Sequence, residues 1–127
     1  ELPVELVSLH KGEGEKQIED ITFPFTTFPP EFDGGEQAFL HTAEVINQCD
    51  LIITTDTSIV HLAGAMGART WLLLQKVPDW RWGLSGKDTF WYPSVKIFRQ
   101  QKTHAWVPVF QELFFRLKAE LGKAKYK

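Results

Sequence analysis

Three short stretches hold residue types and spacings capable of chemistry. The first is Asp56-Thr57-Ser58 with His61 three residues on, placed where an apolar, β-branched run gives way to helical spacing. A strand-to-helix turn presents unpaired backbone N–H groups and the positive end of a helix dipole, so it can receive an anion such as a phosphate. His61 falls in the first turn of that helix and could donate to a phosphate oxygen or a sugar hydroxyl. The same residues have a purely structural reading, in which Asp56 or Thr57 is an N-cap worth about 1 kcal/mol and His61 is a packing residue. The second stretch is His10-Lys11-Gly12-Glu13-Gly14, where the Lys11 ammonium and the flexible backbone at Gly12 could meet a phosphate. It lacks the spacing of a P-loop. The third is the long connection at 75–94, which carries Asp79, Trp80, Arg81, Trp82, Trp91 and Tyr92. Indole faces stack on sugar rings and bases, Arg81 suits a phosphate, and Asp79 suits hydroxyls. The aromatic residues could equally pin the connection to its own domain or cover a neighbouring one.

Other chemistries find no support. No serine elbow or paired-histidine zinc spacing occurs, and the lone Cys49 precedes an apolar strand with no evident partner, so neither nucleophilic nor metal catalysis is expected. Basic residues in the second half are scattered (Arg69, Lys76, Arg81, Lys87, Lys96, Arg99) and the net charge is −2, which argues against nucleic-acid binding.

The elements that must position these residues follow from periodicity. Residues 2–9 read as a strand, a short acidic helix follows at 13–19, and 21–25 read as a second strand. Phe39, Ala43 and Ile46 recur at helical spacing from Glu36 to about Gln48. Residues 50–55 form a compact apolar run of the kind buried on both faces of a parallel sheet, and are expected to be a central strand. Ile59, Leu62, Ala63 and Met66 continue as a helix closed by Gly67, a residue suited to a left-handed C′ position. Strands at 70–74 and 95–98 precede a long helix over 106–121. That helix sets Trp106, Val109, Phe110, Leu113, Phe114, Leu117 and Leu121 on one face.

Alternating strands and helices predict a Rossmann-like, doubly wound, mainly parallel α/β sheet of about five strands with helices on both faces. Ligands of such sheets bind beyond the strands' carboxyl ends, which points to the loops at 10–14, 56–58 and 75–94. A chain of 127 residues with 43% hydrophobic content suffices for one domain, expected over 1–122, with a basic, disordered tail at 123–127. The charge is uneven. Positions 1–50 hold 2 basic and 11 acidic residues, whereas 51–127 hold 12 and 5. Either the basic half faces an anionic ligand or the halves attract each other. A single cysteine calls for no oxidising compartment, no run approaches the ~20 apolar residues of a membrane span, and a cytoplasmic location is expected. The chain opens on Glu1 and enters a strand-like run at once, which reads as a piece of something longer.

The run from Asp50 to Gly67 resembles the donor-site segment of bacterial glycosyltransferase family 9, the heptosyltransferase-like enzymes. The likeness rests on Asp56, Thr57, His61, Leu62, Ala63, Ala65 and Gly67. Four further motifs are similar to the C-terminal portion of bacterial tetratricopeptide-repeat proteins that end in such a domain: Ser8-Leu9-His10-Lys11-Gly12, Pro78-Asp79-Trp80-Arg81-Trp82, Trp91-Tyr92-Pro93-Ser94 and Phe98-Arg99-Gln100. The resemblance covers roughly residues 4–121. It implies the C-terminal half of a GT-B fold, the half that holds the nucleoside-diphosphate sugar. On that implication Asp56 contacts sugar hydroxyls, Thr57 and Ser58 offer amides to the pyrophosphate, His61 lies beside it, and Lys11 and Gly12 face the phosphates. Apart from the resemblance, the residue types make Asp79, Trp80, Arg81 and Trp82 candidate sugar or base contacts. No metal or other cofactor is implied, since the helix dipole and basic side chains neutralise the leaving diphosphate. The catalytic base would lie on the N-terminal GT-B half, leaving this piece alone inactive or nearly so. Two departures stand out: Ser58 where the heptosyltransferases commonly have Gly, and the Trp-rich segment at 78–94, which they lack. A non-catalytic scaffold beside the repeats and a generic nucleotide sensor remain rival readings.

Overall fold

The computed structural model describes residues 3–9, 25–26, 28 and 39–125. The chain divides into two compact units, Glu1–Thr42 and Ala43–Lys127. In the first, the expected strand at 2–9 contributes an isolated parallel bridge between Val7 and Thr26. The Ser8 N–H donates to the Thr26 carbonyl at 2.8 Å, and the Thr26 N–H donates to that of Leu6 at 2.9 Å. Most of the expected second strand, the acidic helix at 13–19 and the whole Lys11-Gly12 turn lie outside the described residues.

The second unit contains most of helix α1 (Leu40–Gln48), then β1 (Ile52–Thr54), α2 (Ser58–Ala65), β2 (Thr70–Leu74), a 3-10 turn at Trp80–Trp82, β3 (Val95–Arg99) and α3 (Val107–Lys125). The strands form a parallel sheet in the order β1-β2-β3, with Thr70 opposite both Ile52 and Val95. The α/β class is therefore as expected, while the described sheet has three strands rather than about five. Within it β2 is central and wholly buried, and β1, expected to be a central strand, pairs with β2 among the described residues, with Ile53 exposed. An apolar run signals burial but carries no information about strand order.

Side chains alternate across β2, and each set meets a different helix. Leu72 and Leu74 pack with Val60 of α2, Trp82, Val95 and Ile97 on one face. Trp71 and Leu73 pack with Phe98, Val109, Trp106, Leu113 and Leu117 on the other, beneath α3. Helices thus cover both faces. The α3 contact stripe is narrower than the periodicity suggests: Phe110 and Phe114, expected on it, are about half exposed. Helix α3 runs on to Lys125, so the expected tail carries helical backbone past Gly122. At α1, Phe39 takes a positive φ of 73° and stands exposed just before the helix, instead of serving as one of its buried positions. Gly67 follows the Met66 C-cap with φ 72°, as its place after α2 predicts.

Candidate functional site

The turn after β1 is built as a helix cap. Thr57 has extended backbone (φ −132°, ψ 179°), and its hydroxyl accepts from the Ile59 N–H at 3.4 Å, with Thr54 Oγ1 3.3 Å away. Ser58 opens α2 and is exposed. Asp56 is exposed too, with Oδ1 3.9 Å from His61 Nε2, a distance for attraction rather than a hydrogen bond.

His61 links this turn to the aromatic connection. Its Nδ1 lies 3.0 Å from the Tyr92 hydroxyl, and its ring stacks on Trp82 with centroids 5.5 Å apart and planes 27° apart. Tyr92 is placed edge-on to His61 and tilted against Trp82. The ring of Tyr92 reaches this position because Gly64 lies beneath it. A Cβ at Gly64 would sit 2.5 Å from Tyr92 Cγ. Helical spacing puts residues 61 and 64 on the same face of α2, so one helix supplies both the hydrogen-bond partner and the gap for the ring.

The 3-10 turn supplies the remaining wall. Asp79 caps it, accepting from the Arg81 N–H at 3.1 Å, and also pairs with the Arg81 guanidinium at 3.5 Å. Arg81 lies over the Trp80 ring, 5.6 Å from its centroid, and Trp80 meets Trp91 edge to face at 6.3 Å. Trp82 is buried, whereas Trp80 is 74% and Trp91 52% exposed. His61, Trp80, Arg81, Trp82, Trp91 and Tyr92 together line an open cleft of about 220 Å³. Such a surface offers an exposed indole face on which a planar or pyranose ring can stack, with a guanidinium and an imidazole near its polar substituents.

No family model matches the chain, and searches of curated proteins and of solved structures find no significant match.

Of the residues singled out in the sequence, the fold brings His61, Trp80, Arg81 and Trp82 to one cleft, with Asp56 next to His61. Thr57 and Ser58 do not line it, Asp79 is occupied as cap and ion pair, and Lys11 and Gly12 lie outside the described residues. Trp82 forms a buried wall, unlike the open platforms Trp80 and Trp91. Tyr92 and Gly64 gain roles that their types alone did not indicate. A glycine on a helix facing an aromatic residue is a packing signal only once the partner is known.

Burial lowers the Arg99 guanidinium from its usual value, and burial, then the neighbouring Asp50 carboxylate, raises the Cys49 thiol. Among the described residues no group of three His, Cys, Asp or Glu side chains is placed to hold a metal ion. Nor is any described helix long and apolar enough to cross a membrane.

Proposed function

We propose that this chain is the nucleotide-sugar-binding half of a GT-B glycosyltransferase of the family 9 type, borne on a tetratricopeptide-repeat protein. Its parent would transfer a sugar from a nucleoside diphosphate to an acceptor held mainly by the other half. The observation that carries this reading is the cleft itself: exposed Trp80 and Trp91 faces with Arg81 and His61 at their side, next to the turn that opens α2. One ligand spanning cleft and turn would set a ring against the indoles and a diphosphate near the N-terminal end of α2 and its dipole. The volume of about 220 Å³ falls below the ~300–1,000 Å³ of pockets that enclose whole ligands, in keeping with half of a two-domain cleft. The Trp82 Nε1–H is buried without a partner among the described residues, an uncommon condition in a wall complete by itself.

Titrating uridine, adenosine and guanosine diphosphates and their sugars while following amide and indole NMR signals tests the reading. Shifts are expected at residues 56–61 and at Trp80 and Trp91, weakened by Asp56→Ala. Silence at these positions with every ligand at millimolar concentration refutes it.

One observation favours a second reading, a scaffold module. Val77, Trp80, Leu84 and Phe90 are all more than 70% exposed on the same connection, an apolar concentration suited to a protein partner. On that reading, sugar transfer by the parent protein is absent, or is indifferent to Asp56→Ala.

A further inference from the structure

The connection at 75–94 has no α-helix of its own. The backbone hydrogen bonds within its 3-10 turn are Trp82 N–H to Asp79 at 3.1 Å and Gly83 N–H to Trp80 at 3.2 Å. The Asp79 cap and the burial of Trp82 add to these two bonds, but the segment that follows the turn draws its side-chain restraint from elsewhere. The anchor comes from the sheet. Arg99, the last residue of β3 and paired in register with Leu74, directs its guanidinium into the segment that follows the turn. Its Nε donates to the Gly86 carbonyl at 2.8 Å, Nη1 to Gly83 at 2.9 Å, and Nη2 to Ser85 at 3.1 Å and to Trp82. Among the described residues no carboxylate pairs with this cation, and carbonyl oxygens take the place of a counter-ion.

We infer that Arg99 is the positioning residue of the aromatic cleft: its planar fork gathers the carbonyls of residues 82, 83, 85 and 86 and thereby holds Trp82 beneath His61 and the 3-10 turn at the cleft wall. A fork with five fixed donors satisfies four carbonyls at different angles, and a lysine ammonium, a point charge with three donors on a flexible stem, does not. Arg99 does not line the cleft and acts only through the loop. The geometric part stands without the proposed ligand, whereas the binding consequence rests on the nucleotide-sugar reading.

The test compares the full chain with Arg99→Ala and Arg99→Lys by NMR of the indole N–H groups. Trp71 and Trp106, packed on the opposite sheet face, report on the rest of the fold. In both variants the Trp80 and Trp82 signals should shift and solvent exchange of the Trp82 N–H should quicken about tenfold or more, while Trp71 and Trp106 keep their positions. An unchanged Trp82 signal in Arg99→Ala overturns the inference. So does an Arg99→Lys chain with native signals, which would make charge alone sufficient, or a displacement of Trp71 and Trp106 as large as that of Trp82, which would make Arg99 a general determinant of the fold. Uridine diphosphate then probes binding. Affinity should fall about tenfold or more in both variants, a change of about 1.4 kcal/mol. If the native chain binds none of the uridine, adenosine and guanosine diphosphates or their sugars, the nucleotide-sugar reading fails, and Arg99 is judged on the indole signals alone.

Discussion

Replacing Gly64 with alanine tests whether the cleft is built as described. The added Cβ would lie 2.5 Å from Tyr92 Cγ and 2.7 and 2.8 Å from its two Cδ atoms, so it meets the ring itself rather than a flexible end. Ordinary contact requires the ring to retreat by about an ångström, which carries its hydroxyl off His61 Nδ1, now 3.0 Å away. Overpacking of this kind costs about 1–3 kcal/mol, and a lost hydrogen bond adds about 1 kcal/mol. Alanine returns about 1 kcal/mol through its better helix propensity. The expected net loss is about 1–3 kcal/mol, or a melting temperature lower by roughly 4–12 °C for a domain of this size. Chemical denaturation of Gly64→Ala in the native background and again in Tyr92→Ala reads the mechanism. With the ring removed the clash disappears, and the alanine should then be neutral or stabilising by up to about 1 kcal/mol. A Gly64→Ala chain as stable as the native one, or a loss of equal size in both backgrounds, refutes the reasoning.

Thr57→Ala should cost about 0.5–1 kcal/mol, the low end for an N-cap because the bond to the Ile59 N–H is 3.4 Å long, and a loss above 2 kcal/mol in urea denaturation would contradict a simple cap. Cys49 should alkylate with a pH midpoint above that of the same thiol in the denatured chain, because burial and the Asp50 carboxylate both disfavour the thiolate. The sign carries over to stability: the folded state loses relative stability as pH rises through the unfolded thiol's range, about 8.5. Iodoacetamide rates that give equal midpoints for the folded and denatured chain would contradict this.

The elements of the second unit were legible in the sequence because they depend on short-range pattern. The apolar runs at 50–55, 70–74 and 95–98, the helical spacing from Ile59 and the closing Gly67 each show a period or backbone demand within a few residues. Their boundaries and relations were less so. The strand order β1-β2-β3 and the exposure of Phe110 and Phe114 follow from which surfaces meet, which no local period encodes.

What the sequence determined by itself is the α/β class, the handover from strand to capped helix at residues 54–58, and the presence of an aromatic-rich connection. Only the tertiary structure decided that this connection becomes a cleft. His61 and Tyr92 stand 31 positions apart, Gly64 must be bare for the Tyr92 ring, and Arg99 must reach back to the carbonyls of residues 82–86. Each of these contacts is fixed by the excluded volume and hydrogen-bond geometry of groups distant in the chain, and such constraints exist only once the parallel sheet has brought α2, the connection and β3 together.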